Sequence, residues 1–274
     1  MSLVLRTAAY TDIGHGRANN EDSAAAGPRL AVVADGIGGM PAGEQASAVV
    51  VRQLCLLDPD AVPARLLPEN TPTEDMAASH PSPVEAPTVR LLTTTESTDP
   101  VALLSDAVEA ANRTIRELID SDERTEAMGT TVTALLLVGG QVGLFHVGDS
   151  RAYLLRNGTF EQITRDDTYV QTLIDEGLIT EMDARSHPRR SVVMQAVQGL
   201  AYEPSTSVRT ATAGDRYLLC SDGLTDVVGD EAIRNALEME PDPARCAQIL
   251  VRTALQAGAP DNVTVVVADV VDRR

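Results

Sequence analysis

Short runs of Val, Leu and Ala that stop at an aspartate constrain this chain more than any other feature. Leu30-Ala31-Val32-Val33-Ala34 ends in Asp35-Gly36, the run 142–147 ends in Gly148-Asp149-Ser150-Arg151, and Tyr217-Leu218-Leu219-Cys220 ends in Ser221-Asp222-Gly223. Another run starts just after Asp261-Asn262, and Asn20-Glu21-Asp22 precedes a further short apolar segment. Runs this short and this rich in Val and Leu read as buried strands. One Asp-Gly alone is an ordinary turn at a strand end. Several together bring carboxylates to one edge of the sheets, where packed like charges need cations or protons to coexist. Oxygen-only donors favour hard cations such as Mg²⁺ or Mn²⁺. The histidines, His15, His80, His146 and His187, are too scattered for a zinc site.

The periodicity predicts strands over 3–10, 30–34, 131–138, 142–147, 152–155, 207–210, 216–220 and 263–270. Arg156-Asn157-Gly158-Thr159 reads as a hairpin turn, because Asn-Gly tolerates positive φ. Helical patterns cover 43–57, 101–121, 168–176, 230–238 and 243–257. The second carries a one-faced apolar stripe of Leu104, Val108, Ala111, Ile115 and Leu118. Two packed sheets with helices outside is the simplest arrangement. Between the first two helices, residues 58–100 are rich in Pro, Thr, Ser and Glu and cannot bury enough apolar surface to offset their ordering entropy. They read as a flexible insertion within one domain spanning 1–274.

The net charge of −18 argues against nucleic acid and anionic membranes as partners. Every basic residue is an arginine, so lysine chemistry is excluded. The odd cysteines Cys55, Cys220 and Cys246 match no zinc or redox spacing and suit a reducing, cytoplasmic setting. Residues 1–6 lack a signal peptide's apolar run, and no apolar segment reaches bilayer length.

Six segments in order, Arg17-Ala18-Asn19-Asn20-Glu21-Asp22, Ala34-Asp35-Gly36-Ile37-Gly38-Gly39, Met128-Gly129-Thr130-Thr131, Gly148-Asp149-Ser150-Arg151, Cys220-Ser221-Asp222-Gly223-Leu224 and Pro260-Asp261-Asn262-Val263-Thr264, span nearly the whole chain. Together they resemble the metal-dependent Ser/Thr protein phosphatases of type 2C, the PPM family, in its bacterial form. The resemblance implies an α+β fold in which two antiparallel sheets are flanked by helices, an α-β-β-α sandwich, with a small flap at 164–199. It implies hydrolysis of phosphoserine and phosphothreonine in proteins, a signalling dephosphorylation, by a hydroxide shared between two Mn²⁺ or Mg²⁺ ions. Partners implied are phosphorylated proteins, with Ser/Thr protein kinases and their targets among them.

By resemblance, Asp35 bridges the two ions, and Asp222 and Asp261 complete the first. The Gly36 carbonyl, with Glu21 through water, holds the second, and Asp22 supports a bound water from behind. Asp149 with Asp222 matches a weaker third site. Ser191 either joins that site or is an ordinary flap serine. Arg17 matches the phosphate-binding arginine; a surface arginine paired with a neighbouring acid is its other reading. Asn262 is expected to orient Asp261. Many bacterial members carry a histidine where this chain has Met40, and methionine cannot donate a proton to the leaving alkoxide. That leaves a second reading open: a weakly active phosphatase-like domain that binds phosphoproteins. His15 and His80 read as solvated, His146 as a packed core histidine and His187 as a flap residue. Cys220 and Cys246 read as packing, not as nucleophiles.

Overall fold

The computed structural model describes residues 2–37, 42–66, 98–125 and 127–273. Met40 and His80 lie outside the described residues.

Two six-stranded sheets pack face to face. The first runs in the order β11 (Thr159–Gln162), β10 (Arg151–Arg156), β13 (Arg216–Cys220), β14 (Val263–Asp272), β1 (Leu3–Asp12) and β6 (Arg65–Leu66). The second runs β12 (Ser205–Thr210), β9 (Gln141–Val147), β8 (Val132–Val138), β3 (Leu30–Ala34), β2 (Ser23–Ala26) and β5 (Val62–Pro63). A two-stranded ribbon joins β4 (Gly36–Ile37) to β7 (Gly129–Thr130). Every pairing is antiparallel except β1 with β6.

Small and branched side chains fill the space between the sheets. Ala31, Val33, Leu135 and Leu144 from the second sheet meet Leu154, Tyr217, Leu219 and Val266 from the first. Alternate residues of the same strands face outward onto helices, as a two-residue period requires. α1 (Ala42–Cys55) and α2 (Pro100–Ser121) cover the second sheet, with Val50, Leu54, Leu104 and Ile115 buried against Val32, Ala134 and Phe145. α6 (Asp230–Met239) and α7 (Pro243–Gln256) cover the first, burying Ile233, Leu250 and Val251 against Leu218, Val265 and Val267. The layers are helix, sheet, sheet, helix, as expected. α5 (Asp222–Thr225) follows β13 directly.

Asn157 and Gly158 have φ of 52° and 76°, and the hairpin between β10 and β11 forms where it was read. The stretch 164–199 holds α3 (Tyr169–Asp175) and α4 (Glu181–Arg185). It touches the core through Thr130 opposite Val197, and folds on itself through Thr168 opposite Val193.

The Pro-rich segment is corrected at both ends. Val62–Pro63 adds an edge strand beside β2, and Arg65–Leu66 adds one beside β1, so the two sheets share a short stitch. Proline is tolerated there because an edge strand has one side without a ladder partner. Buried Asp58 anchors the stitch, accepting the backbone N–H groups of Arg29 at 2.7 Å and Leu30 at 3.0 Å. At the other end Asp99 caps α2 by accepting the Val101 N–H at 2.9 Å, and Pro100 is the first helical residue. The remainder, 67–97, lies outside the described residues.

Candidate metal centre

Antiparallel register decides where the carboxylates go. Ser23 pairs Ala34, Val33 pairs Thr133, Val132 pairs Val147, Arg151 pairs Cys220 and Cys220 pairs Val265. The start of β2, the end of β3, the turn between β9 and β10, the end of β13 and the start of β14 therefore share one edge of the sandwich. Asp22, Asp35, Asp149, Asp222 and Asp261 sit at those positions in turn.

Backbone bonds fix Asp35. Its N–H approaches Thr131 Oγ1 at 3.0 Å, and its carbonyl accepts from the Thr131 N–H at 2.8 Å and the Thr130 hydroxyl at 2.9 Å. Asp22 accepts from the Ser221 hydroxyl at 2.8 Å, which ties the residue beside Asp222 to the start of β2. Asn262 behaves differently from expectation. Its backbone N–H donates to Asp261 Oδ1 at 2.8 Å, but its side chain turns to the N-terminal loop. There its oxygen accepts the Glu21 N–H at 2.8 Å, and its amide donates to the carbonyls of Ile13 and Asn19 at 2.9 Å. Asn262 thus positions Glu21 more than Asp261.

The acids oppose one another. Burial, and then the charges of Asp22, Asp222, Asp149 and Asp261, push the Asp35 carboxyl well above its ordinary range. Burial and then Asp149, Asp226, Asp261 and Asp22 do the same to Asp222. Asp149 rises to about 7, chiefly by burial and then by Asp166, and Asp22 to about 6, chiefly by burial. No arginine answers this set as a whole. Arg151 is held by Asp166 through two parallel bonds of 2.9 and 2.7 Å. Arg17 reaches Asp261 at 2.6 Å while keeping half of its side chain exposed. The arginine expected at a phosphate is thus paired with an expected metal ligand, and that pairing holds its guanidinium pKa up.

Among the described residues, no three His, Cys, Asp or Glu side chains close around a single point. The carboxylates share an edge and feel one another, but Asp261 leans onto Arg17. Two buried carboxylate oxygens lack a partner among the described residues, Asp22 Oδ1 and Asp222 Oδ1. An orphaned buried carboxylate oxygen is costly unless a cation or proton meets it. Donors that are all oxygen, two of them unanswered, fit a hard divalent cation.

Gly36 lies on β4 beside the edge, and Glu21 is buried below it. Ser191 lines a cavity of about 390 Å³ together with Asp149, Asp222, Asp166, Asp226 and Arg190. Arg190 reaches across it to Asp226 at 3.5 Å. Asp166 and Asp226 escaped the sequence reading, although Asp226 follows Asp222 by four residues, one helical turn. The histidines fall as expected among the described residues. His15 is exposed, His187 sits against Tyr169, and His146 is fully buried, with Nδ1 on Thr133 Oγ1 at 2.9 Å and Nε2 on the Arg165 carbonyl at 3.0 Å. Burial lifts the thiols of Cys220 to about 12 and Cys246 to about 11, which makes poor nucleophiles of both.

This arrangement recurs in known proteins. The family described as protein phosphatase 2C matches residues 15–263. The Ser/Thr protein phosphatase PstP of Mycobacterium tuberculosis is 48% identical over 272 residues, which cover 99% of this chain and 46% of that protein. The chain thus spans about half the length of that relative. The Ser/Thr phosphatase stp of Listeria monocytogenes is 31% identical over 266 residues, covering 94% of this chain and 93% of that one. The crystal structure of the catalytic domain of PstP in complex with two manganese ions superposes with a TM-score of 0.81 at 46% identity, covering 99% of this chain and 100% of that one. A match over most of the sequence, with the same fold beneath it, means that this chain belongs to the protein phosphatase 2C family.

Proposed function

We propose that this chain is a metal-dependent phosphatase that hydrolyses phosphoserine and phosphothreonine in proteins. The observation that carries the reading is a mutually repelling set, buried Asp22 and Asp149 with half-buried Asp35 and Asp222, that leaves two buried carboxylate oxygens orphaned. A fold that stability alone had shaped would have paired them. The relatives named as Ser/Thr phosphatases, and the two manganese ions of the PstP complex, support the same reading.

In this proposal Asp35 would hold both of two Mn²⁺ or Mg²⁺ ions, and Asp222 and Asp261 would serve the first. The Gly36 carbonyl serves the second, with Glu21 acting through water. Asp22 holds a water from behind, and Asp149 with Asp222 holds a weaker third ion, with Ser191 beside it. Divalent cations at such a site act as Lewis acids and make a hydroxide nucleophile available near neutral pH. The chain's own groups do the rest. Arg17, paired with Asp261 and half exposed, would fork onto two phosphoryl oxygens were Asp261 to serve a cation instead. Ser221 and Asn262 keep Asp22 and Glu21 in register through their hydrogen bonds. The flap 164–199 overhangs the cavity beside Asp149 and meets the protein part of the substrate. Its partners are phosphoproteins, Ser/Thr protein kinases and their targets included. Three free cysteines suit the reducing cytoplasm. No described helix is long and apolar enough to cross a membrane.

The test is release of phosphate from a phosphothreonine peptide as Mn²⁺ is titrated, with Asp222→Asn as control. Folded protein that releases none at saturating Mn²⁺ rejects the proposal.

A further inference from the structure

Glu21 is gripped from three sides, and two of the grips come from one face of α1. Gly43 and Ser47 are four residues apart on that helix and share its buried face with Ala46, Val50 and Leu54. The Ser47 hydroxyl, fully buried, donates to the Glu21 carbonyl at 2.6 Å, and lies 2.9 Å from the Ser23 hydroxyl. Asn262 holds the Glu21 N–H from the opposite side. The carboxylate itself lies against Gly43. A Cβ built there would overlap Glu21 Oε2 and stand 2.9 Å from the Gly36 carbonyl carbon and 3.1 Å from the Glu21 carboxyl carbon. The converse holds at Gly36, where a Cβ would overlap the Gly43 carbonyl group and stand 2.7 Å from the Glu21 carbonyl oxygen. Neither glycine has positive φ, so the requirement is room and not backbone freedom.

We infer that Gly43 and Ser47 are positioning residues: α1 presses a bare backbone, followed one turn later by a hydroxyl, against Glu21 and Gly36, and so sets the one carbonyl and the one glutamate that serve the second cation. The inference rests on the phosphatase reading but concerns residues outside its ligand set. It explains a feature that packing leaves unexplained. A helix that only covered the second sheet would be served as well or better by alanine at position 43, in the first turn of α1, since alanine is the stronger helix former. At 47 an apolar residue would pack as well but could not bond the Glu21 carbonyl and the Ser23 hydroxyl, which the Ser47 hydroxyl meets along with the Glu44 carbonyl of its own helix at 3.1 Å. Position 43 instead leaves room for the Glu21 carboxylate beside the Gly36 carbonyl group, and position 47 supplies a hydroxyl to the Glu21 backbone. With a methyl at 43, either the Glu21 carboxylate or the Gly36 carbonyl has to move, and a displacement of a few tenths of an ångström is enough to spoil a divalent ligand set.

Calorimetric titration of Mn²⁺ into the metal-free protein tests this without relying on turnover. Glu21→Ala marks the binding event that belongs to the second cation, and Asp222→Asn marks the first. Gly43→Ala is expected to weaken the event marked by Glu21→Ala by about tenfold or more and to leave the other within about twofold. Ser47→Ala is expected to weaken the same event by a smaller factor. In the double variant Glu21→Ala/Gly43→Ala the second change should add less than it does alone, because part of its effect passes through Glu21. Gly43→Ala that titrates as wild type, or that weakens both events equally, overturns the inference, as does simple additivity in the double variant. If Gly43→Ala fails to give the cooperative melt of wild type, Ser47→Ala decides alone, and an unchanged titration there overturns the inference. A wild-type protein that binds no Mn²⁺ would bring down the phosphatase reading and this inference with it, whereas normal wild-type binding with insensitive variants brings down this inference only.

Discussion

Strands β13 and β14 carry buried charge at both ends. At the end away from the carboxylate edge, Asp269 accepts from Arg216 at 2.6 and 2.9 Å and from Arg6 at 2.8 Å, while Arg156 grips Asp215 at 2.6 Å through two nitrogens. Arg216 also donates to the carbonyls of Leu237, Glu240 and Pro241, which ties α6 and the turn after it to the sheet. At the other end of the same two strands, Asp222 and its neighbours repel one another, and Asp222 and Asp22 each keep an orphaned oxygen. The same chain therefore knows how to pair a buried acid and does not do so where the sheet edge meets the cleft. Paired charge is there to register elements. On the proposed reading, unpaired charge keeps ligand positions open, and the fold carries it as strain that a cation would relieve.

The contrast predicts opposite outcomes for the same chemical change. Asp222→Asn removes a ligand and relieves repulsion. Phosphatase activity should fall by about 10³-fold, roughly 4 kcal/mol of transition-state stabilisation. The melting temperature of the metal-free protein should meanwhile rise, and Mn²⁺ should stabilise it less than wild type. A variant that loses both activity and metal-free stability would break the comparison. Asp269→Asn does the reverse. It leaves the Arg216 guanidinium buried without a counter-charge, which costs about 3 kcal/mol, the low end for such a loss because three carbonyls still hold it. Thermal melting should drop by roughly 6–12 °C, with activity per folded molecule unchanged. An Asp269→Asn protein that melts like wild type would show that the far pair is ornamental.

Arg17 stands between the two kinds of region, being half exposed and paired with an acid at the open edge. Arg17→Ala should raise KM for a phosphothreonine peptide by about tenfold, as loss of a charged hydrogen bond would. Mn²⁺ affinity should hold or improve slightly, because Asp261 no longer has to leave a partner. Unchanged KM in steady-state assays would remove Arg17 from the phosphate and leave it as a surface ion pair.

The strand-end carboxylates and the two-sheet core were legible because each is written in consecutive residues: an apolar run, then an acid. What escaped the sequence depends on meetings between distant residues. The Asn262 amide finds Glu21 across 241 positions, and Gly43 faces Glu21 from another element altogether. Gly43 was visible only as a helix start. The stitch at Val62–Leu66 was hidden by its own composition, since prolines forbid a central strand but not an edge. The four-residue α5 was too short to leave a period, so Asp222 was read as a strand-end ligand with no helix after it, and Asp226, one helical turn on, went unnoticed.

The gentlest probe of the contrast is pH. Asp22 and Asp149 have folded pKa values of about 6 and about 7, raised from 3.8 chiefly by burial. An acid whose pKa is raised by folding binds its proton more tightly in the folded state. Its contribution to stability is complete below the unfolded value and is lost as pH rises through the folded one. Metal-free protein should therefore melt at progressively lower temperature between about pH 4 and about pH 7. Saturating Mn²⁺ should flatten the slope, because cations then take the place of the protons. A net charge of −18 gives a general repulsion of the same sign, so the slope alone does not decide. Asp149→Asn does. It changes the overall charge by one unit but removes the titration near pH 7, so the upper part of the slope should shrink while the part near pH 6, from Asp22, stays. Removing Asp215 or Asp269 at the paired end should leave that upper part intact. A metal-free melting temperature that climbs across this range would mean that the edge acids are already answered, and the difference between the two ends of β13 and β14 would vanish.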